Sequence, residues 1–212
     1  MLSTDEISKN TDDIISLIMT IDFDRFQNDS SQEELLSYLH NTLYLAPAST
    51  KYYGSYAGGL AEYLLCVYNN LKAIVKMKGY EDIYTDETLK IVSLGSVLYK
   101  CDFYEPYYKN EKVYSEGGYH RDNLGNFDWE AKLYYKVKDN RYSVGTNEET
   151  SCFILSKYIK LTETEIKAIL NSSIDFDDNK RVQFGVYADC PLVSFLHCAT
   201  TLSSFVDFGS NE

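Results

Sequence analysis

Apolar residues recur at helical spacing along most of the chain. Ile7, Ile14, Ile15 and Ile18 predict a helix over about residues 5–20, with Thr11, Asp12 and Asp13 as its start. A second helix is expected from about Ser31, where Ser31 and Glu34 have capping-box spacing, through Leu35, Leu36, Leu39 and Leu43. The clearest helical stripe is Leu60, Leu64, Val67, Tyr68, Leu71, Ile74 and Val75, within about Ser55 to Lys78. Ile91, Val92, Leu94, Val97 and Leu98 predict another helix over about Asp86 to Tyr99, running into the aromatic cluster Phe103, Tyr104, Tyr107 and Tyr108. Between about 111 and 144 the period falls to two: Phe127, Trp129, Ala131, Leu133, Tyr135 and Val137 alternate with mostly polar residues after a turn at Gly117-Gly118, the mark of a β-hairpin. Helical spacing returns over about 147–171, with a break at Leu161-Thr162 and a capping box from Thr162 to Glu165. A last helix, about Pro191 to Val206, is expected to turn Leu192, Phe195, Leu196, Ala199, Leu202, Phe205 and Val206 inward. The fold class is therefore mostly α, with a small inserted hairpin. The organisation expected is an N-terminal helical arm over 1–30 followed by one domain over 31–212, and the Ile-rich arm is a candidate surface for a homodimer.

Composition narrows the function. The 212 residues hold 20 Lys and Arg against 32 Asp and Glu, a net charge of −12, with no basic stretch, so general nucleic-acid binding is not expected. No window is long and apolar enough to span a membrane, and the beginning of the chain lacks the features of a signal peptide, so a cytoplasmic protein is expected. Five scattered cysteines form no Cys-x-x-Cys pair and are expected to be reduced thiols. The 20 tyrosines are unusual: each offers a flat apolar face and a polar tip, suited to packing and equally to stacking on a ligand.

Phosphate-binding Gly-rich loops, nucleophile elbows and zinc-binding His-Glu-x-x-His runs are absent. His40, His120 and His197 have no spacing that converges on a metal. Asp175, Asp177 and Asp178 lack the Gly and terminal Glu of a calcium loop and are expected to be a solvated loop.

One pattern is more specific. The run Ala46-Pro-Ala-Ser-Thr-Lys-Tyr-Tyr-Gly-Ser-Tyr-Ala-Gly-Gly-Leu-Ala-Glu-Tyr63, followed by Ile91–Tyr104, Trp129–Val137 and Pro191–Thr200 in that order, resembles a group of small HD-domain proteins common in phages and Firmicutes. The resemblance covers about residues 43–206 and implies an HD-like helical bundle. It also implies where metal ligands would stand, and there this sequence departs. The family's first histidine falls on Tyr63, its His-Asp pair on Ser96-Val97 and its last aspartate on Thr200; less securely, further histidines fall on Thr146 and near Ser172. Tyr, Ser, Val and Thr cannot assemble a divalent-metal site, so the resemblance implies a protein without a metal cofactor that has lost HD phosphohydrolase chemistry.

What survives suggests a binding pocket. Lys51, Tyr53, Tyr56, Glu62, Tyr63, Ser96, Lys100, Tyr104, Tyr135 and Thr200 are its candidate residues, with tyrosines as the floor and Lys51 and Lys100 at the edge, placed to stack a base and pair with a phosphate. The alternative for the tyrosines is packing, for Lys100 an offset to a helix dipole, and for Lys51 a solvated turn. The function expected is non-catalytic binding of a small phosphorylated or nucleotide ligand, used, if the gene is viral, to sequester a cyclic nucleotide or ADP-ribose-type immune signal. Two alternatives stay open: an acidic protein-interaction domain that inhibits a host protein or mimics nucleic acid, and a metal-independent phosphodiesterase using Tyr, Lys and Glu62.

Overall fold

Ser3 opens the first helix, α1 (Thr4–Met19). Its hydroxyl accepts from the Glu6 amide while the Glu6 carboxylate accepts from the Ser3 amide. The start expected at Thr11 is overturned: Thr11 is buried in mid-helix, its hydroxyl donating to the Ile7 carbonyl. The computed structural model describes residues 2–115, 117–173 and 180–208, and the acidic run Asp175, Asp177 and Asp178 lies outside them. Seven more α-helices follow among the described residues: α2 (Ser31–Leu43), α3 (Gly59–Met77), α4 (Asp86–Val97), α5 (Asn147–Ser156), α6 (Glu163–Leu170), α7 (Lys180–Asp189) and α8 (Pro191–Leu202). None of these is long and apolar enough to cross a membrane.

α3 occupies the centre, with α1, α4 and α8 packed around it. Its stripe of Leu60, Leu64, Val67 and Leu71 is buried in one cluster with Leu35 and Leu39 of α2, Leu94 of α4, Ile169 of α6 and Leu196 of α8. Ile14 and Ile18 belong to the same cluster, and Ile7 closes on Gly58, where a Cβ would stand 2.7 Å from the isoleucine side chain. The N-terminal segment is thus part of the body rather than an arm, and the expected dimer through it loses its basis because the isoleucines are spent in the chain's own core.

Local polar geometry explains the other departures. α2 is preceded by Ser30, whose hydroxyl donates to Glu34 at 2.6 Å, while Ser31 is fully buried; the Ser31–Glu34 box does not form. The box from Thr162 to Glu165 does form, as does one from Thr146 to Glu149. The aromatic cluster after α4 is a strand rather than a helix end. A 3₁₀ turn over Leu98–Asp102 leads into β1 (Tyr104–Lys112), where Pro106 bars a helix and the tyrosines favour extended chain. After two short strands, β2 (Tyr114–Ser115) and β3 (Gly118–Tyr119), β4 (Trp129–Val137) pairs antiparallel with β1 from Tyr104↔Val137 to Lys112↔Trp129. α8 widens into a π turn over Ser203–Asp207. That change of period leaves Phe205 and Val206 72% and 59% exposed, and Leu202, at the end of α8, is 38% exposed, all against the inward expectation.

Arg25, in the turn after α1, ties three segments together. Its guanidinium donates to Glu87 of α4 at 2.8 Å, to Glu165 of α6 at 2.7 Å and to the Lys160 carbonyl at 3.1 Å. The Glu165 side chain is fully buried. Removing a partner from a buried ion pair strands the other charge, so Arg25→Ala is expected to cost about 3 kcal/mol. Lys72→Ala, which breaks a surface pair with Asp86, is expected to cost less than about 1 kcal/mol. Urea unfolding of the two variants checks the difference.

Candidate functional site

The loop before α3 is fixed by its own small residues. The Ser49 hydroxyl donates to the Tyr53 carbonyl at 2.7 Å and accepts from the amides of Lys51, Tyr52 and Tyr53. Those amides are therefore turned onto Ser49. The Ala48 amide donates to the Gly54 carbonyl at 2.8 Å, and Gly54 takes φ +55°. A Cβ on Gly59 would lie 2.2 Å from the same Gly54 carbonyl oxygen, so the helix can begin here only with glycine. This folded loop aims the Ala48 carbonyl and the Tyr53 ring at Lys100.

Lys100 lies in the 3₁₀ turn after α4, with 5% of its surface exposed. Its ammonium donates to the Ala48 carbonyl at 2.8 Å and to the Tyr53 hydroxyl at 3.1 Å. It also sits 4.9 Å from the ring centre of Tyr53, 4.8 Å from that of Tyr63 and 5.9 Å from that of Tyr99. Lys100 forms no salt bridge among the described residues. Burial pushes its pKa below the ordinary lysine value, and the nearby Tyr53 hydroxyl acts against that shift.

This side chain lines a cavity of about 200 Å³. Tyr53, Tyr63, Ser96, Lys100 and Thr200, predicted for the site, meet there, together with Val97 and Ser172. Tyr63 is 3% exposed and donates to the Thr200 carbonyl at 3.2 Å, across 137 residues of sequence. Burial raises the Tyr63 and Tyr99 phenols above the ordinary value and lifts Tyr104 to about 12, so all three stay protonated at neutral pH.

The remaining predicted residues are elsewhere. Lys51 is exposed, its ammonium 5.3 Å from the centre of the Tyr52 ring. Tyr56 donates to Glu62 at 2.5 Å, and that pair does not line the cavity. Tyr104 stands behind the cavity wall against Phe103, and Tyr135 is buried at the foot of the β-ribbon opposite Pro106. Lys100 itself is in the wall rather than at the edge, because the 3₁₀ turn directs it beneath the tyrosines.

Several lining residues had no signal in the sequence: Tyr99, Glu148, Ser173, His197, Thr201, Ser204 and Phe205. His197 Nδ1 donates to the Ser172 carbonyl at 3.2 Å, and Ser173 donates to Glu148. Serine and threonine are ordinary on helices, and only the meeting of α4, the turn after α6, and α8 with its π turn makes a hydroxyl-rich wall of them. The hydroxyls of Ser96, Ser172, Thr200, Thr201 and Ser204 donate to carbonyls three or four residues back in their own segments. Such bonds are exchangeable: the hydroxyl can turn to a ligand without unfolding the helix.

Comparison with protein-family models, with curated proteins and with solved structures finds no match to this chain. The donors in the cavity do not suit a divalent metal, since among the described residues no three His, Cys, Asp or Glu side chains come together to hold one.

The sign of the Lys100 shift gives a test. Its folded pKa lies below the unfolded value of 10.5, so the unfolded chain binds the extra proton between the two values and stability rises with pH through that window. Above about pH 10 the raised tyrosines act in the opposite sense, as the unfolded phenols ionise first. Replacing Lys100 with Met is expected to remove the rise and leave the later fall. Denaturant titrations of both proteins from about pH 7 to about pH 11 check it.

Proposed function

We propose that the cavity binds a small ligand through a phosphoryl group and does not hydrolyse it. The observation that carries this reading is the buried Lys100 amine, which has a carbonyl, a phenol and three ring faces around it and no salt bridge among the described residues; the Glu148 carboxylate in the same lining accepts from Ser173. An unpaired buried charge is costly, and a ligand that brings an anion offsets that cost. The wall of hydroxyls supplies exchangeable donors for the other phosphoryl oxygens. Tyrosine, serine and threonine stand where the resemblance would put metal ligands, and that replacement is the ground for reading binding without hydrolysis.

Size limits the ligand. Sites for drug-sized molecules are about 300–1,000 Å³. A cavity of about 200 Å³ encloses a phosphoryl group with part of a sugar, and a base would rest at the mouth, where Phe205 lines the wall while 72% exposed. The convergence of Tyr63, Ser96, Val97, Ser172 and Thr200 on this one cavity supports an HD-like ancestry in which the metal-ligand positions have been refilled. Sequestration of a phosphorylated signal, of the cyclic nucleotide or ADP-ribose type, is the use of binding without turnover that this ancestry suggests.

Thermal unfolding in orthophosphate, sugar phosphates and linear and cyclic nucleotides, each with and without Mn²⁺, tests the reading. A ligand at a hundredfold excess over Kd is expected to stabilise by about 2.7 kcal/mol, a rise of roughly 5–10 °C, equally with and without metal. It is recovered intact, and Lys100→Met abolishes the rise. No shift with any phosphorylated compound, or recovery of a cleaved product, overturns it.

A further inference from the structure

We infer that β4 pairs edge to edge with β4 of a second copy of this chain, making a four-stranded antiparallel sheet across a two-fold axis at Leu133. The β1–β4 ribbon is two-stranded, so each strand has one edge without a strand partner. A two-stranded ribbon is marginal in water unless further strands or other packing cover its apolar face, and here the foot at Tyr135 is buried while the outer part is exposed. The ribbon has such a face: register and alternation put Tyr108, Trp129, Leu133, Tyr135 and Val137 together. Of these, Tyr108 is 73% and Trp129 60% exposed. β1 carries Pro106, which blunts an edge, whereas β4 contains neither Pro nor Gly and is the open one.

Charge selects the partner and the register. Glu130 lies opposite Glu111 and Lys132 opposite Lys109 within the ribbon, like-charge pairs that weaken it. Neither Glu130 nor Lys132 forms a salt bridge among the described residues, whereas Lys136 bridges Glu105, its neighbour in the ribbon, at 2.8 Å and would share its charge with a second carboxylate. When β4 meets its own copy antiparallel with Leu133 on the axis, Glu130 faces Lys136, Lys132 faces Tyr134 and Leu133 faces Leu133. Each heterotypic pair occurs twice. Moving the axis to Lys132 sets two lysines face to face, and moving it to Tyr134 sets Lys132 against Lys136. An axis at Ala131 would also set Glu130 against Lys132 but would pair only residues 129–133, so the axis at Leu133 is the one that joins opposite charges over all nine residues of the strand, and opposite charges across strands are favourable.

The rest of the molecule permits this contact. Residues 104–138 hold six Lys and Arg and six Asp and Glu, so the ribbon is electrically balanced and the −12 is carried by the rest of the chain. Nine-residue strands are about 30 Å long. The antiparallel arrangement puts the two bodies at opposite ends of the sheet, well beyond the roughly 8 Å over which exposed charges act at physiological salt.

Sedimentation velocity and native mass spectrometry on the full chain test the inference. The wild type is expected to show a species of twice the 24.4 kDa chain mass in the micromolar range. Glu130→Lys and Lys136→Glu should each weaken association about tenfold or more, since both pairs become repulsive. An equimolar mixture of the two variants should dimerise again, because each heterotypic contact is then opposite in charge. A wild type that stays monomeric throughout the micromolar range overturns the inference, and so does a dimer that neither variant weakens.

Discussion

The hydrogen bond from the Lys100 ammonium to the Ala48 carbonyl is the constraint on which the site depends. It joins the turn after α4 to the loop before α3, and it can form only because that loop is folded back on itself by Ser49 and by the contact between Gly54 and Gly59. An ammonium in a dry interior is expensive. Here the Ala48 carbonyl, the Tyr53 hydroxyl and the faces of Tyr53 and Tyr63 reduce that cost without cancelling the charge. On the reading proposed above, the cavity is a place for an anion created by packing rather than by a catalytic motif.

Much of the helical body was legible in the sequence because its stripes are long and its cap residues local. The α3 stripe and the Thr162–Glu165 box needed only neighbours in sequence to be read. The failures share a different cause. Tyr104–Tyr108 followed a helix without a break in hydrophobicity, and only pairing with Trp129–Val137 makes it a strand. The inward face expected of Phe205 and Val206 assumed a constant period, which the π turn does not keep. Lys51 was singled out by its place in a run of residues, yet the Ser49 turn directs it to solvent. Tyr63, Ser96 and Thr200 were placed together by a resemblance and not by any local pattern; His197, Ser204 and Glu148 join them through tertiary packing, which no local pattern encodes.

The molecule separates its two chemistries in space. The acidic helical body contains the cavity and its buried cation, while the ribbon is electrically balanced and carries exposed aromatic rings. The excess negative charge would oppose an approaching anion at long range, but exposed charges are screened within about a Debye length and a buried group is screened much less. Selectivity then falls to the cavity's hydroxyls and its small volume. Association through the ribbon would leave that cavity unchanged, since Lys100, Tyr63 and Thr200 lie in the helical body.

The protonation of Lys100 is the most direct test of the claim that an unpaired buried cation anchors the ligand. Nitrogen-15 NMR of the Lys100 ammonium, titrated with pH in the presence and absence of a phosphate monoester, reads it at the atom concerned. The account predicts a free-protein pKa below the ordinary 10.5 that rises when the ester binds, with proton uptake at neutral to alkaline pH. A Lys100 pKa that is the same with and without the bound ester would contradict it.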